Sequence, residues 1–161
     1  MEQGKGIIWR TPTGFRVGQL RLKKAIKNKQ IKVTVNGKVI ARSYPILSDE
    51  IDEVESLNAV APNFIHSYDS AHLQKTITAA SKEGMENFLV IHDSFSTDAE
   101  HATRFNHIIR EQFVEMYSAD NWLDVLHNDV EDQLECPAVT PRQELGDFDI
   151  NEVLKSKYFF S

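Results

Sequence analysis

In Phe88-Leu89-Val90-Ile91-His92-Asp93-Ser94-Phe95, an apolar run leads straight into a His-Asp-Ser tripeptide. A run of this length and composition reads as a short core strand, apolar on both faces and therefore in need of neighbours on both sides. The Asp falls where that strand breaks into a turn. A core strand is rigid, so a carboxylate at its end is held in place while it still reaches solvent, Mg²⁺ and phosphate. Taken alone, an Asp beside a Ser in a turn serves Asx-type hydrogen bonding. Two-metal phosphoryl chemistry needs a second fixed carboxylate, and no comparable strand-end Asp stands elsewhere in the 161 residues.

Outward from this turn, helices are expected on both sides. Thr97-Asp98-Ala99-Glu100 has the form of a capping box for a long helix whose Ala102, Phe105, Ile109, Phe113 and Met116 keep helical spacing and form core. A further helix from about Asp120 to Leu134 is expected to bury Trp122, Leu123, Leu126 and Val130 and to leave Asp124, Asp129 and Glu131 as a solvated face. Upstream, Ser48-Asp49-Glu50 starts a short helix with Ile51, Val54 and Leu57 on one face, and Pro62 ends it. Ser67 or Asp69 then caps a second helix to about Lys82, with Leu73, Ile77 and Ala80 inward and Gly84 as its stop. Near the end, Pro137 and Pro141 bracket a linker, and Asp149-Ile150-Asn151-Glu152 starts a last short helix that leads into Tyr158-Phe159-Phe160. Burial is expected for these aromatics, since exposure of each forfeits about 1.5–3 kcal/mol.

Composition fits a soluble globular piece: 41% hydrophobic, 26% charged, no stretch of membrane-spanning length and no repeats. Cys136 is the single cysteine, so no internal disulfide forms and a reducing compartment is expected. Met1-Glu2-Gln3-Gly4-Lys5 shows neither a signal-peptide core nor an Arg-rich amphipathic helix, so no targeting is implied. Net charge is −6, yet residues 1–48 hold 11 Lys/Arg against Glu2 alone, a balance of +10, while residues 49–161 balance to −16. The basic block, with Arg21, Lys23, Lys24, Lys27, Lys29, Lys32, Lys38 and Arg42, is the natural place for phosphate contacts; otherwise it is a solvated lysine face. Within it, Gln30–Val35 and Lys38–Arg42 alternate about Asn36-Gly37, a strong hairpin signal. A two-stranded ribbon of this kind fits the major groove of a duplex.

Ala61-Pro62-Asn63-Phe64-Ile65-His66-Ser67, Asp69-Ser70-Ala71-His72-Leu73 and His92-Asp93-Ser94-Phe95 resemble, in order and spacing, the last third of the single-subunit RNA polymerases of T7-like phages and mitochondria. Trp9-Arg10-Thr11-Pro12-Thr13-Gly14-Phe15 resembles a palm segment of that family, and Tyr158-Phe159-Phe160-Ser161 resembles the end of its organellar members. The resemblance spans nearly the whole chain and is weakest between Val17 and Glu55. It implies an α+β fold: the C-terminal part of a polymerase palm, with a specificity-loop-like β-hairpin and several packed helices, incomplete as an independent domain. Residues 1–48 are then the basic strand and hairpin region, 49–135 the palm helices with the catalytic turn, and 136–161 the linker, short helix and aromatic tail.

The resemblance also implies roles. Asp93 is the metal-binding catalytic residue for two Mg²⁺ ions, with a bridging carboxylate from elsewhere. His92 beside it shapes the turn and contacts the primer-terminal backbone, or is structural. His66 reaches the minor groove of the template–product duplex, and Gln30, Lys32 and Arg42 fall near positions that read promoter bases. Their side chains differ from the phage pattern, so base specificity does not carry over. Asp69 and His72 are helix-start polar residues that support the site; a zinc site with His66 lacks a Cys partner. DNA polymerases of the superfamily carry His-Asp-Glu, so His92-Asp93-Ser94 favours RNA synthesis. Ser96 stands where phage enzymes have Gly and organellar enzymes an aromatic.

The family's first catalytic Asp and its nucleotide-handling helix, with Lys, Arg and Tyr, have no counterpart here. The expectation is therefore a separately encoded catalytic fragment of a split DNA-dependent RNA polymerase, with Met1 as its start. It would act with another polymerase subunit, DNA template, RNA product and nucleoside triphosphates, and with no membrane, in the cytoplasm of a phage-infected bacterium or, second, in a mitochondrion. The alternative is a non-catalytic nucleic-acid-binding or regulatory protein that retains the palm scaffold, a role that makes no demand for Asp93. A hydrolase using Ser94 or Ser96 with His92 is disfavoured, because adjacent strand residues point to opposite faces and there is no Gly-x-Ser-x-Gly elbow.

Overall fold

The computed structural model describes residues 6–134 and 144–159, apart from the side chains of residues 25–27 and 134. Met1–Lys5, Cys136, the Pro137–Pro141 linker, Phe160 and Ser161 lie outside the described residues, as does the side chain of Lys27. In chain order the elements are β1 (Ile7–Arg10), β2 (Arg16–Gln19), β3 (Leu22–Val35), β4 (Lys38–Ile51), α1 (Glu53–Lys82), β5 (Phe88–Ile91), β6 (Ser94–Thr97), α2 (Ala102–Ala119), α3 (Trp122–Leu134) and a closing 3-10 helix (Ile150–Lys155). The fold is α+β, and its described strands form three separate antiparallel pairs, β1–β2, β3–β4 and β5–β6.

α1 is one helix where two were expected. Ser48, Asp49 and Glu50 do not start it; they belong to β4, which keeps pairing with β3 as far as Leu22 opposite Ile51. Asp52 is the true cap, accepting from the Glu55 N–H at 3.0 Å, with Glu53 and Glu55 placed well for the helix dipole. The helix then runs through Pro62, although a proline there removes one backbone bond. Beyond the proline the helix is held by burial of Phe64, Tyr68, Ala71, His72, Thr76 and Ala80, while residues 53–61 bury no side chain. Ser67, expected as a cap, instead donates to the Phe64 carbonyl at 2.7 Å and accepts from the Trp9 indole N–H at 3.0 Å. Gly84, with φ +88°, ends the helix as anticipated.

Two apolar clusters hold the chain together. Trp9, Phe64 and Tyr68 form the first, with Ile7, Val17, Trp122 and Leu126 against it. Ala80, Met85, Phe105, Ile108 and Ile109 form the second, with Ile77, Ala79, Phe88, Phe95 and Phe159 against it. In α2 the expected stripe is observed at Phe105, Ile109 and Met116, but Ala102 is exposed. The Thr97–Glu100 capping box does not form. Thr97 ends β6 and donates to the Asn87 carbonyl at 2.8 Å, while Asp98 accepts from both the backbone and the ring Nδ1 of His101.

α3 also departs from its expected faces. Leu123 is exposed, and Asp129 is not simply solvated: its carboxylate accepts from the Arg10 N–H at 3.3 Å. Gln133 both accepts from the Ile8 N–H at 2.8 Å and donates to the Ile8 carbonyl. Side chains of α3 thus satisfy backbone groups on the free edge of β1, which an open strand would leave unpaired. At the other end, Asp149 caps the 3-10 helix as expected, accepting from the Asn151 N–H at 3.0 Å. The tail is only partly buried: Phe159 packs on Phe113 at 4.9 Å between ring centres, whereas Tyr158 is 85% exposed.

β5 leaves one face open. Apolar on both faces, it needs neighbours that this chain does not supply: among the described residues it pairs only with β6, and Leu89 and Ile91 are 63% and 60% exposed while Phe88 turns inward. Consequently Phe105→Ala should destabilise the chain by about 3–5 kcal/mol, the cost of emptying a buried aromatic site. Leu89→Ala should change stability by less than about 0.5 kcal/mol, as for an exposed position. Urea unfolding followed by circular dichroism compares the two; a large loss at Leu89 would mean that the outer face of β5 is covered.

Candidate active-site turn and nucleic-acid interface

The β5–β6 ladder closes with Val90 opposite Phe95 and Ile91 opposite Ser94, which leaves His92 and Asp93 as a two-residue turn. His92 adopts φ +55°, a left-handed conformation that His reaches more readily than bulkier residues do. Both turn residues are exposed, so the Asp93 carboxylate is presented to solvent as the sequence implied. The base of the hairpin is fixed from below. Phe88 meets Phe105 of α2 at 5.5 Å, Phe95 meets the same ring at 6.3 Å, and the His72 ring stands edge-on to Phe95 at 5.7 Å.

His72 is not a helix-start residue. It lies deep in α1, 3% exposed, and its Nε2–H donates to the Ile109 carbonyl at 2.8 Å. Burial pushes its pKa down from the ordinary 6.5, against the smaller opposing effects of the Ile109 hydrogen bond and the Asp69 charge, so the ring is neutral. Sequence reasoning missed this because it divided α1. Once the helix is continuous, His72 follows Phe64 and Tyr68 at intervals of four on the buried side. His66 and Asp69 are exposed on the same helix, and nothing among the described residues joins either to Asp93 directly. The link is through α1 itself: His66 lies six residues, about 9 Å along the axis, from His72.

Asp93 offers the hard oxygen donors that Mg²⁺ prefers. Among the described residues, however, no three His, Cys, Asp or Glu side chains converge, so a full metal site needs ligands from beyond them.

The basic hairpin forms as expected and is longer. Asn36 and Gly37 take φ +50° and +73°, the conformation of a twist-matched hairpin turn. Register divides the three expected contact residues. Gln30 opposes Ser43 and Lys32 opposes Ala41, so these share one polar face with Asn28 and Thr34. Arg42 opposes Ile31 and lies on the other face, with Lys29 and Lys38 as well as Val33, Ile40 and Tyr44. All of them are exposed, because the ribbon packs extensively on no other described element. A second residue that sequence reasoning passed over is Arg110, buried in α2, which donates to the Ser156 carbonyl at 3.1 Å and lies over the Phe159 ring at 5.7 Å.

The family model described as DNA-dependent RNA polymerase matches residues 1–144. The chain is 35% identical over 162 residues to mitochondrial DNA-directed RNA polymerase 1 of Arabidopsis thaliana, covering 99% of this chain and 16% of that protein. It is 35% identical over 158 residues to DNA-directed RNA polymerase 1A of Nicotiana tabacum, covering 96% of this chain and 95% of that one. Similarity to chloroplastic DNA-directed RNA polymerase 3B of Nicotiana tabacum is 34% over 161 residues, 99% of this chain and 16% of the relative. The chain thus spans about a sixth of two of these relatives and nearly the whole of the third.

The depressed His72 pKa makes stability depend on pH. The unfolded chain protonates this ring near 6.5 while the folded chain resists it, so the contribution of His72 is whole above that pH and falls as pH drops below it. Urea midpoints at pH 8 and pH 5.5 should therefore differ less in His72→Gln than in the unsubstituted chain. An equal difference in both would show that His72 is not held neutral.

Proposed function

The chain belongs to the DNA-dependent RNA polymerase family, of the T7-like single-subunit kind, and we propose that it contributes one metal-binding carboxylate, Asp93, to nucleotidyl transfer in a polymerase completed by a second polypeptide. The observation that carries this reading is the Asp93 turn: an exposed carboxylate on a hairpin whose inner side chains are locked against α1 and α2. A rigid first ligand is what two-metal transfer requires of a protein. The spread of cover among relatives, from 16% to 95% of their length, is compatible with a chain that works as one part of a larger enzyme.

Asp93 would hold Mg²⁺ as an oxygen donor, and the bound metal would supply activation of the 3′-hydroxyl and stabilisation of the leaving pyrophosphate. His92 holds the turn in its left-handed shape and meets the primer-terminal backbone. His66 faces the minor groove of the template–product duplex, where acceptors are similar for all base pairs. The β3–β4 ribbon engages duplex DNA through Gln30, Lys32 and Arg42, for both of its faces carry cations, Lys32 on one and Lys29, Lys38 and Arg42 on the other. Partners are accordingly a second polymerase subunit, DNA template, RNA product and nucleoside triphosphates. Relatives named for mitochondria and for chloroplasts favour an organelle over an infected bacterium.

A non-catalytic nucleic-acid-binding role is the rival, favoured by the absence of a three-ligand cluster among the described residues. One substitution separates the two. In the assembly with its complementary polypeptide, Asp93→Asn should lower primed RNA synthesis by about 100-fold or more while leaving assembly and DNA binding intact, since charge is removed and shape kept. Ser94→Ala should be far milder. Retention of a tenth of the activity by Asp93→Asn would rule out the metal-ligand role.

For the ribbon, Lys32→Ala should reduce the slope of log affinity against log salt by about one. Arg42→Ala, on the face that also carries Lys29 and Lys38, should reduce it by about the same amount. An unchanged salt dependence in both variants, measured by gel shift across a salt series, would rule out direct DNA contact by these side chains.

A further inference from the structure

We propose that His72 is a positioning residue for the Asp93 turn, an inference that rests on reading that turn as the catalytic one. One imidazole touches three parts of the molecule at once: the α2 backbone through Ile109 O at 2.8 Å, Phe95 of the hairpin at 5.7 Å, and Phe113 of α2 at 5.5 Å. A carbonyl supplies no proton, so Nε2 carries it and the tautomer is fixed.

Packing alone does not call for a histidine here. The Ile109 carbonyl lies within α2 and is served by the helix, and an aromatic hydrocarbon would fill the same space without the desolvation that depresses the His72 pKa. The hydrogen bond adds orientation. It stops rotation of the ring, and the interplanar angles of 64° to Phe95 and 85° to Phe113 then set how those rings can lie. Phe95 is next to the closing pair Ile91–Ser94 and two residues from Asp93, at most about 7 Å of extended chain. A rotation at His72 is therefore passed to the carboxylate through one aromatic contact and one strand pair. Displacements of about 1 Å are enough to matter at a metal or reacting centre.

The test uses nuclear magnetic resonance of the full 161-residue chain, with Mn²⁺ as the probe of Asp93. In the unsubstituted chain the His72 ring should carry its proton on Nε2; protonation on Nδ1 alone would overturn the proposal. His72→Phe should shift and broaden the His92 and Asp93 amide signals and raise at least threefold the Mn²⁺ concentration that half-broadens Asp93. His72→Gln, whose side-chain N–H can reach the same carbonyl, should restore both. If His72→Phe does not fold, His72→Leu takes its place, since it too removes the donor. Unchanged His92 and Asp93 signals in the donorless variant would refute the positioning role. Should Mn²⁺ leave Asp93 unaffected in the unsubstituted chain, the site lacks its second carboxylate there, the metal-ligand reading is decided by Asp93→Asn in the completed enzyme, and the amide signals alone decide what His72 does.

Discussion

One row of side chains on α1 supports the rest of the molecule. Phe64, Tyr68, His72, Thr76 and Ala80 recur at every fourth residue and are all buried. Four residues turn an ideal helix by about 400°, so the row drifts by about 40° at each step and Ala80 points about 160° round from Phe64. The helix can therefore serve two cores on different sides, the Trp9 cluster with its first half and the Phe105 cluster with its second. The turns before Pro62 bury no side chain; the helix is held from Phe64 onward by its buried row and is capped at its start by Asp52.

That winding row also explains which parts of the fold could be read from the sequence. Amphipathic reasoning looks for apolar residues on one fixed face, and α1 has none. Its buried side includes a His and a Thr, so the pattern divided at Pro62 into two helices. By contrast α2, with its stripe on one face, the Asn36-Gly37 hairpin and the Asp149 cap each depend on local chemistry within a few residues and were legible. Ser48-Asp49-Glu50 has the composition of a helix start, yet pairing with β3 carries it on as strand. The Asp93 turn was legible for the same local reason, while the position of His72 depended on contacts 23 and 37 residues away, with Phe95 and Ile109.

Charge is segregated in a way that packing permits. The basic excess of residues 1–48 includes the β3–β4 ribbon, whose described cations are exposed, where like charges about 4 Å apart repel by only about 1 kcal/mol and are screened by salt. On the body, several acids are neutralised locally. Arg104 bridges Glu83 and Glu111, and Lys75 meets Glu115 at 2.9 Å. Under the proposed reading, a nucleic acid would be drawn to the ribbon and repelled by the acidic remainder, orienting the encounter before contact.

The β5–β6 hairpin shows the same economy of function at the turn. A two-stranded hairpin is marginal in water, and this one stands because Phe88 and Phe95 are seated on α1 and α2. Its outer residues, Leu89 and Ile91, and its unpaired strand edges face solvent among the described residues. Under the proposed reading, a second carboxylate must come to a fixed distance from Asp93 on another element. A strand added to an open edge would do this with little tolerance, because side chains alternate with a period of two and a slip of one residue turns each of them to the opposite face. Rigidity on the inner face and openness on the outer are thus complementary requirements: the first fixes where Asp93 is, and the second lets another polypeptide be placed against it in a single register.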